Sequence, residues 1–141
     1  MRSNRSARNA GSNFESCCAA FLRVATGDER IERRAKCGAK DRGDLSGLML
    51  HGRRVVAECK DVSKQQMGSW LGEADVERGN DDALIGVVIH HARGVSADRR
   101  RLMRMADQRV TMTLMDLAVA LVGDREEVVE NIKRYEEEMD V

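Results

Sequence analysis

Aromatic residues make up only 3% of this 141-residue chain, and that scarcity sets the first limits on what it does. A surface that holds single-stranded nucleic acid by stacking bases on successive aromatic rings is excluded. The core has to be assembled from Val, Leu, Ile, Ala and Met. No stretch approaches the roughly 18 consecutive apolar residues of a membrane span, and no signal peptide is recognisable. The four cysteines, Cys17, Cys18, Cys37 and Cys59, have no Cys-x-x-Cys spacing and sit inside apolar patterns. They are expected to be buried thiols rather than zinc ligands or a disulfide framework. The expectation is a soluble cytoplasmic protein with no membrane partner.

An excess of charge of one sign is also lacking, because 24 Lys and Arg balance 24 Asp and Glu. The balance hides a division along the chain. Lys and Arg against Asp and Glu number ten to six over residues 1–44, five to seven over 45–82, six to three over 83–123 and three to eight over 124–141. Basic segments therefore bracket an acidic centre. That arrangement suits a protein that attracts phosphates while keeping carboxylates for a metal ion. The length corresponds to a single domain, residues 13–141, ending in an acidic helix over 124–141. Residues 1–12, rich in Arg, Ser and Asn and free of acids, predict a flexible basic arm.

The most informative stretch is Asp44 to Lys60. Apolar runs over 45–50 and 54–60, separated by His51-Gly52, predict two strands joined by a tight turn. Side chains alternate along a strand, so Val55, Ala57 and Cys59 face one way and Glu58 and Lys60 the other. A hairpin that brings the chain back beside Asp44 puts two carboxylates and an ammonium together. Mg²⁺ takes one or two protein carboxylates and leaves its remaining positions to water and phosphate oxygens. A neighbouring lysine orients the nucleophile or stabilises developing charge, as phosphodiester hydrolysis requires. Glu58-Cys59-Lys60 is the only acid-x-Lys in the chain.

The order and spacing of Asp44, Glu58 and Lys60 resemble the PD-(D/E)xK nuclease superfamily. The Arg42-Gly43-Asp44-Leu45-Ser46-Gly47 turn is similar to that of its small archaeal and phage-type Holliday junction resolvases. Gly43 stands at the proline position of the motif, and the chain has no proline at all. The resemblance implies an α/β, restriction-endonuclease-like, three-layer core with a mixed central sheet flanked by helices. It implies Mg²⁺, or Mn²⁺, held by Asp44, Glu58, the Cys59 carbonyl and Glu15, with Lys60 positioning or activating the attacking water. It also implies branched DNA, such as a four-way junction, as substrate. A homodimer follows, since symmetric cleavage of a junction needs two active sites, and the setting is a prokaryotic or phage-infected cell.

The rest of the chain fits around this unit. Ser12-Asn13-Phe14-Glu15 has capping-box spacing, and a helix is expected from Asn13 to Ala25, with Glu15 serving either as helix cap or as metal ligand. Ser63 to Gln66 repeats the pattern before a helix over 64–78. The apolar run 83–89 predicts a central strand parallel to the Glu58 strand, reached by a helical crossover. His90 and His91, adjacent on a strand, face opposite sides and do not chelate one ion together. Arg42, Lys64, Arg99, Arg100, Arg101 and Arg104 are the candidate contacts to DNA backbone. A short strand over 109–113 precedes an apolar helix, Leu114 to Val122, expected to be buried in the core or at a subunit contact. The final helix runs from about Arg125 to Met139. The competing readings are another nuclease of the same superfamily, whether nickase, restriction-like or exonuclease, and a non-catalytic DNA-binding protein of the same fold.

Overall fold

Strand β5, Ile85–His90, is buried at every position, and the other elements are arranged around it. The computed structural model describes residues 4–35 and 41–140; the expectation for Cys37 falls outside them. The elements are α1 (Asn4–Thr26), β1 (Glu32–Arg33), β2 (Leu45–Ser46), β3 (Met49–Leu50), β4 (Arg53–Lys60), α2 (Met67–Asn80), β5, a 3₁₀ helix (Leu102–Asp107), β6 (Arg109–Thr111), α3 (Leu114–Val122) and α4 (Arg125–Glu138). The main sheet has the order β3-β4-β5-β6. Its central pair, β4 and β5, runs parallel from Val55↔Ile85 to Lys60↔His90, and the two outer pairings are antiparallel. Because α2 lies between β4 and β5 in sequence, it forms the crossover that a parallel pair needs.

Helices cover both faces. Phe14, Cys17 and Cys18 of α1 pack with Ala57, Cys59, Ile85, Val87 and Ile89, the residues whose side chains share one face of the parallel pair. Trp70 and Ala74 of α2 pack with Val88 on the other. Gly86 lets α2 come this close, since a Cβ there would lie 2.8 Å from the Ala74 carbonyl oxygen. The fold is thus α/β, with a mixed sheet flanked by helices. His90 and His91 point to opposite faces, His90 towards Trp70 and His91 stacked on Phe14. Among the described residues no helix is long and apolar enough to cross a membrane.

Several expectations are corrected. The first helix starts at Asn4, not Asn13, so residues 4–12 are part of it. Ala7, Ala10 and the arginines are good helix formers, and extending an existing helix is far easier than nucleating one. The strand expected over 45–50 is divided at Gly47, where φ is +85° and a Cβ would lie 2.4 Å from the Arg30 carbonyl oxygen. Its first half, β2, pairs with β1, and its second half, β3, forms the hairpin with β4 through His51 and Gly52, both at positive φ. Helix α2 starts at Met67 and Gln66 gives it no side-chain cap, so the Ser63 capping pattern is unused. Helix α3, capped by Thr113 and ended by Gly123 in the left-handed region, buries Asp116 and Val119 while leaving Leu114, Leu117 and Leu121 exposed.

Candidate active site

Asp44 is fixed to β4 by its backbone and by its side chain. Its N–H donates to the Ala57 carbonyl at 2.8 Å, and its Oδ2 accepts from the Cys59 N–H at 2.8 Å. On the other side, the Arg34 N–H donates to the Asp44 carbonyl. This approach depends on the residue before it. Gly43 has φ +96°, and a Cβ there would lie 3.0 Å from the Ala57 carbonyl oxygen and 3.1 Å from Val56 Cγ1. A side chain at position 43 would therefore push the Asp44 turn away from β4.

Glu58 and Lys60 project from β4 towards α2. Lys60 Nζ lies 2.8 Å from Glu73 Oε2 and 3.8 Å from Glu58 Oε2. Beyond Glu58 stand Asp41, from the chain leading to Gly43, and Glu77, on the sheet-facing side of α2. One carboxylate oxygen from each of Asp41, Glu58 and Glu77 lies within 4.8 Å of the others. Asp44, Glu58 and Glu77 are all buried, and among the described residues no hydrogen-bond donor reaches Glu58 Oε1 or Glu77 Oε2.

Crowding of buried acids dominates the electrostatics. Burial, then the charge of Glu58, raises the Asp44 pKa to about 7 against the stabilising Cys59 N–H, with Glu15 adding to the rise. Burial, then the adjoining Glu77, raises Glu58 to about 8, while Asp44 and Lys60 oppose the shift. Glu77 is also raised, mainly by burial. Burial disfavours the Lys60 ammonium, but its hydrogen bond to Glu73 and the charges of Glu58, Glu73 and Asp44 outweigh this, and its pKa lies above the ordinary value. Lys60 is therefore a fixed positive charge and a donor.

The other sequence candidates are placed differently. Glu15 sits well inside α1, so it does not cap the helix, and its Oε2 accepts from Arg33 Nε at 2.8 Å. It contributes to the field at Asp44 but is outside the group of three carboxylates. The Cys59 thiol is turned to the α1 face, and contact with Cys18 together with burial raises its pKa. Arg42 is exposed and lies 3.9 Å from the buried Asp81. Lys64 is exposed in the loop before α2. Arg99, Arg100, Arg101 and Arg104 are exposed on and beside the 3₁₀ helix, where Arg100 pairs with Asp98. No ion pair or hydrogen bond joins them to the carboxylates.

Asp41 stands three residues before Asp44 on the same turn, where the sequence offers it as a fallback acid, whereas Glu73 and Glu77 are missing from the sequence reading. The signal for both glutamates is present on α2, because Trp70 and Ala74 face the sheet and positions 73 and 77 continue that stripe at helical spacing. An acid on the buried stripe of a crossover helix, next to an acid-bearing strand, marks a shared site. The donor set consists of oxygens alone, including two buried ones without a hydrogen-bond donor, and it fits a hard divalent cation. Comparison of the chain with protein-family models, with curated proteins and with solved structures finds no match.

Proposed function

We propose that the protein is a metal-dependent endodeoxyribonuclease with a restriction-endonuclease-like PD-(D/E)xK site, acting on branched DNA such as a Holliday junction. One observation carries the reading: the Asp44 carboxylate is bonded to the N–H of the residue between Glu58 and Lys60. The acid of the turn and the Glu-x-Lys of the strand thereby form one unit.

Asp44 and Glu58 are the carboxylates expected to hold the ion, Mg²⁺ or Mn²⁺. Bound there, a divalent cation polarises the phosphate and lowers the pKa of a coordinated water. The chain's own contribution is positional and electrostatic. The Cys59 N–H fixes the rotamer of Asp44, and Glu73 fixes the Lys60 ammonium beside Glu58. As a permanent cation, Lys60 orients the attacking water or steadies the charge gathering on the phosphate oxygens, and it does not act as the base. Water adds to phosphorus and the bond to the 3′ oxygen breaks, leaving a 5′-phosphate and a 3′-hydroxyl. The exposed cations Arg42, Lys64, Arg99, Arg100, Arg101 and Arg104 are suited to contacts with DNA backbone, which position a duplex without reading its sequence. A homodimer belongs to this reading, and the exposed leucines of α3 support it.

The test is cleavage of an end-labelled four-way junction, with linear duplex and single strand alongside, with and without Mg²⁺, for the wild type and Asp44→Ala. Junction-selective nicking that needs both Mg²⁺ and Asp44 is the expected result. Tight junction binding with no cleavage of any substrate overturns the nuclease reading in favour of a non-catalytic DNA-binding protein.

A further inference from the structure

We infer that the ion of the proposed nuclease, shared by Asp44 and Glu58, is held as well by Asp41 of the turn and by Glu77 of helix α2. The inference rests on the metal-dependent reading above and extends it to a ligand set from which Glu15 is absent.

Three elements bring oxygens of Asp41, Glu58 and Glu77 within 4.8 Å of one another: the loop before Gly43, strand β4 and the last turns of α2. Glu58 is 5% exposed and Glu77 8%, and Glu58 Oε1 and Glu77 Oε2 have no hydrogen-bond donor. Buried carboxylates are normally paired with a cation or bound to a metal. Among the described residues, cationic side chains do not complete the pairing. Lys60 is hydrogen-bonded to Glu73 and stands 3.8 Å from the other oxygen of Glu58, Oε2. Arg42 and Arg54 turn to Asp81. Glu15, by contrast, already has the Arg33 guanidinium at 2.8 Å.

Oxygens around one Mg²⁺ lie at most about 4.2 Å apart, twice a ~2.1 Å bond, so modest side-chain adjustment closes the triad on a hard divalent ion. The alternative is that protons alone neutralise the cluster. The two cases differ in what Glu77→Gln does. If Glu77 is a ligand, the amide weakens the ion's hold, and it also removes one buried carboxylate from the metal-free protein.

The experiment is a Mn²⁺ titration of the full chain followed by electron paramagnetic resonance, with melting temperature measured with and without Mg²⁺. The variants are Glu77→Gln, Asp41→Asn and Glu15→Gln. We expect Glu77→Gln and Asp41→Asn each to weaken Mn²⁺ binding by about tenfold or more, the loss typical when one contributor to a metal site is removed. In Glu77→Gln the metal-free melting temperature should rise and the gain from Mg²⁺ should shrink. Glu15→Gln should bind Mn²⁺ as the wild type does. Wild-type affinity in Glu77→Gln and Asp41→Asn, or a wild type that binds no Mn²⁺, overturns the inference. Junction cleavage with Mn²⁺ affinity indifferent to Glu77 removes the α2 ligand and leaves the nuclease. Glu77-dependent Mn²⁺ binding without any DNA cleavage removes the nuclease and leaves the cation site.

Discussion

Lys60 is held by Glu73 across the interface between β4 and α2, with Nζ 2.8 Å from Oε2, and this contact aims its ammonium along the carboxylate cluster. Glu73 is half exposed, so the pair contributes under about 1 kcal/mol to stability; its value lies in orientation. Lys60→Ala should reduce cleavage by about 10²–10³-fold, the usual loss for one preorganised electrostatic donor, with junction affinity almost unchanged. Glu73→Gln should lower kcat by roughly tenfold, at the low end of what misplacing a catalytic group costs, with KM and melting temperature near those of the wild type. A Glu73→Gln enzyme with wild-type kcat would show that Lys60 needs no such support.

The raised acids make the metal-free protein sensitive to pH in a defined direction. In the unfolded chain Asp44 and Glu58 ionise near pH 4, whereas in the folded chain they do so at about 7 and about 8. Between those limits the folded state holds more protons than the unfolded state, so its stability falls as pH rises. Melting in the presence of a chelator should show a midpoint several degrees lower at about pH 8.5 than at about pH 5.5, since about 1 kcal/mol moves the midpoint by roughly 4 °C in a domain of this size. Glu58→Gln should flatten the profile, and Mg²⁺ should restore the wild type most at the alkaline end. A profile that rises over this range contradicts the burial of these carboxyls.

Gly43 links backbone geometry to the position of the proposed active-site acid. Alanine there would be strained at φ +96° and would crowd the Ala57 carbonyl. A strained backbone position costs about 1–3 kcal/mol, and relief by moving the turn would take Asp44 away from the Cys59 N–H. Urea denaturation of Gly43→Ala should reveal a loss in that range, together with loss of cleavage. Full activity in a destabilised variant would separate the fold from the site.

Asp116 completes the edge of the sheet that β6 leaves open. The pairing of β6 covers only Val88 to His90, and the Gly86 N–H donates to Asp116 Oδ2 instead, at 2.9 Å. Arg125 Nη2 bonds both Asp116 Oδ1 and the Leu84 carbonyl. Asp116→Ala leaves a buried N–H without its acceptor and an arginine without its counter-charge, and should destabilise by about 3 kcal/mol. Because Asp116 serves β5 and not the carboxylate cluster, cleavage measured well below the melting temperature should survive.

The pattern of alternation along β4 already places Glu58 and Lys60 opposite Ala57 and Cys59, because side-chain period in a strand is a local property. The parallel pairing of β4 with β5 is likewise legible in a continuous apolar run following a helix. The position of Asp44 depends on a long-range fit, Gly43 against Ala57, which appears in sequence only as one more glycine. Glu77 shares the helical stripe of Trp70 and Ala74, but which acid of that stripe meets the sheet and which meets water is decided by the strand beneath it. The paired state of Glu15 required Arg33, eighteen residues away, to be brought back by the β1–β2 pairing.

The exposed face of α3 provides the last test. Leu114, Leu117 and Leu121 follow the i, i+3, i+7 spacing of one helical face, and the first and third are 82% and 76% exposed. Apolar residues scattered singly on a surface need no explanation, but a stripe of leucines on a single helix marks a contact. The same helix buries Asp116 and Val119 on its other side, so both of its faces are apolar while only one is covered within the chain. If the proposed homodimer forms through this face, Leu117→Glu/Leu121→Glu should halve the mass measured by light scattering. Melting temperature extrapolated to low protein concentration should stay unchanged, because neither side chain supports the monomer core. The monomeric variant should then nick one strand of a four-way junction per encounter where the dimer cuts two in concert. Unchanged mass in a variant that remains folded places the dimer contact elsewhere, and a wild type that is already monomeric at micromolar concentration removes paired cleavage from the proposed function.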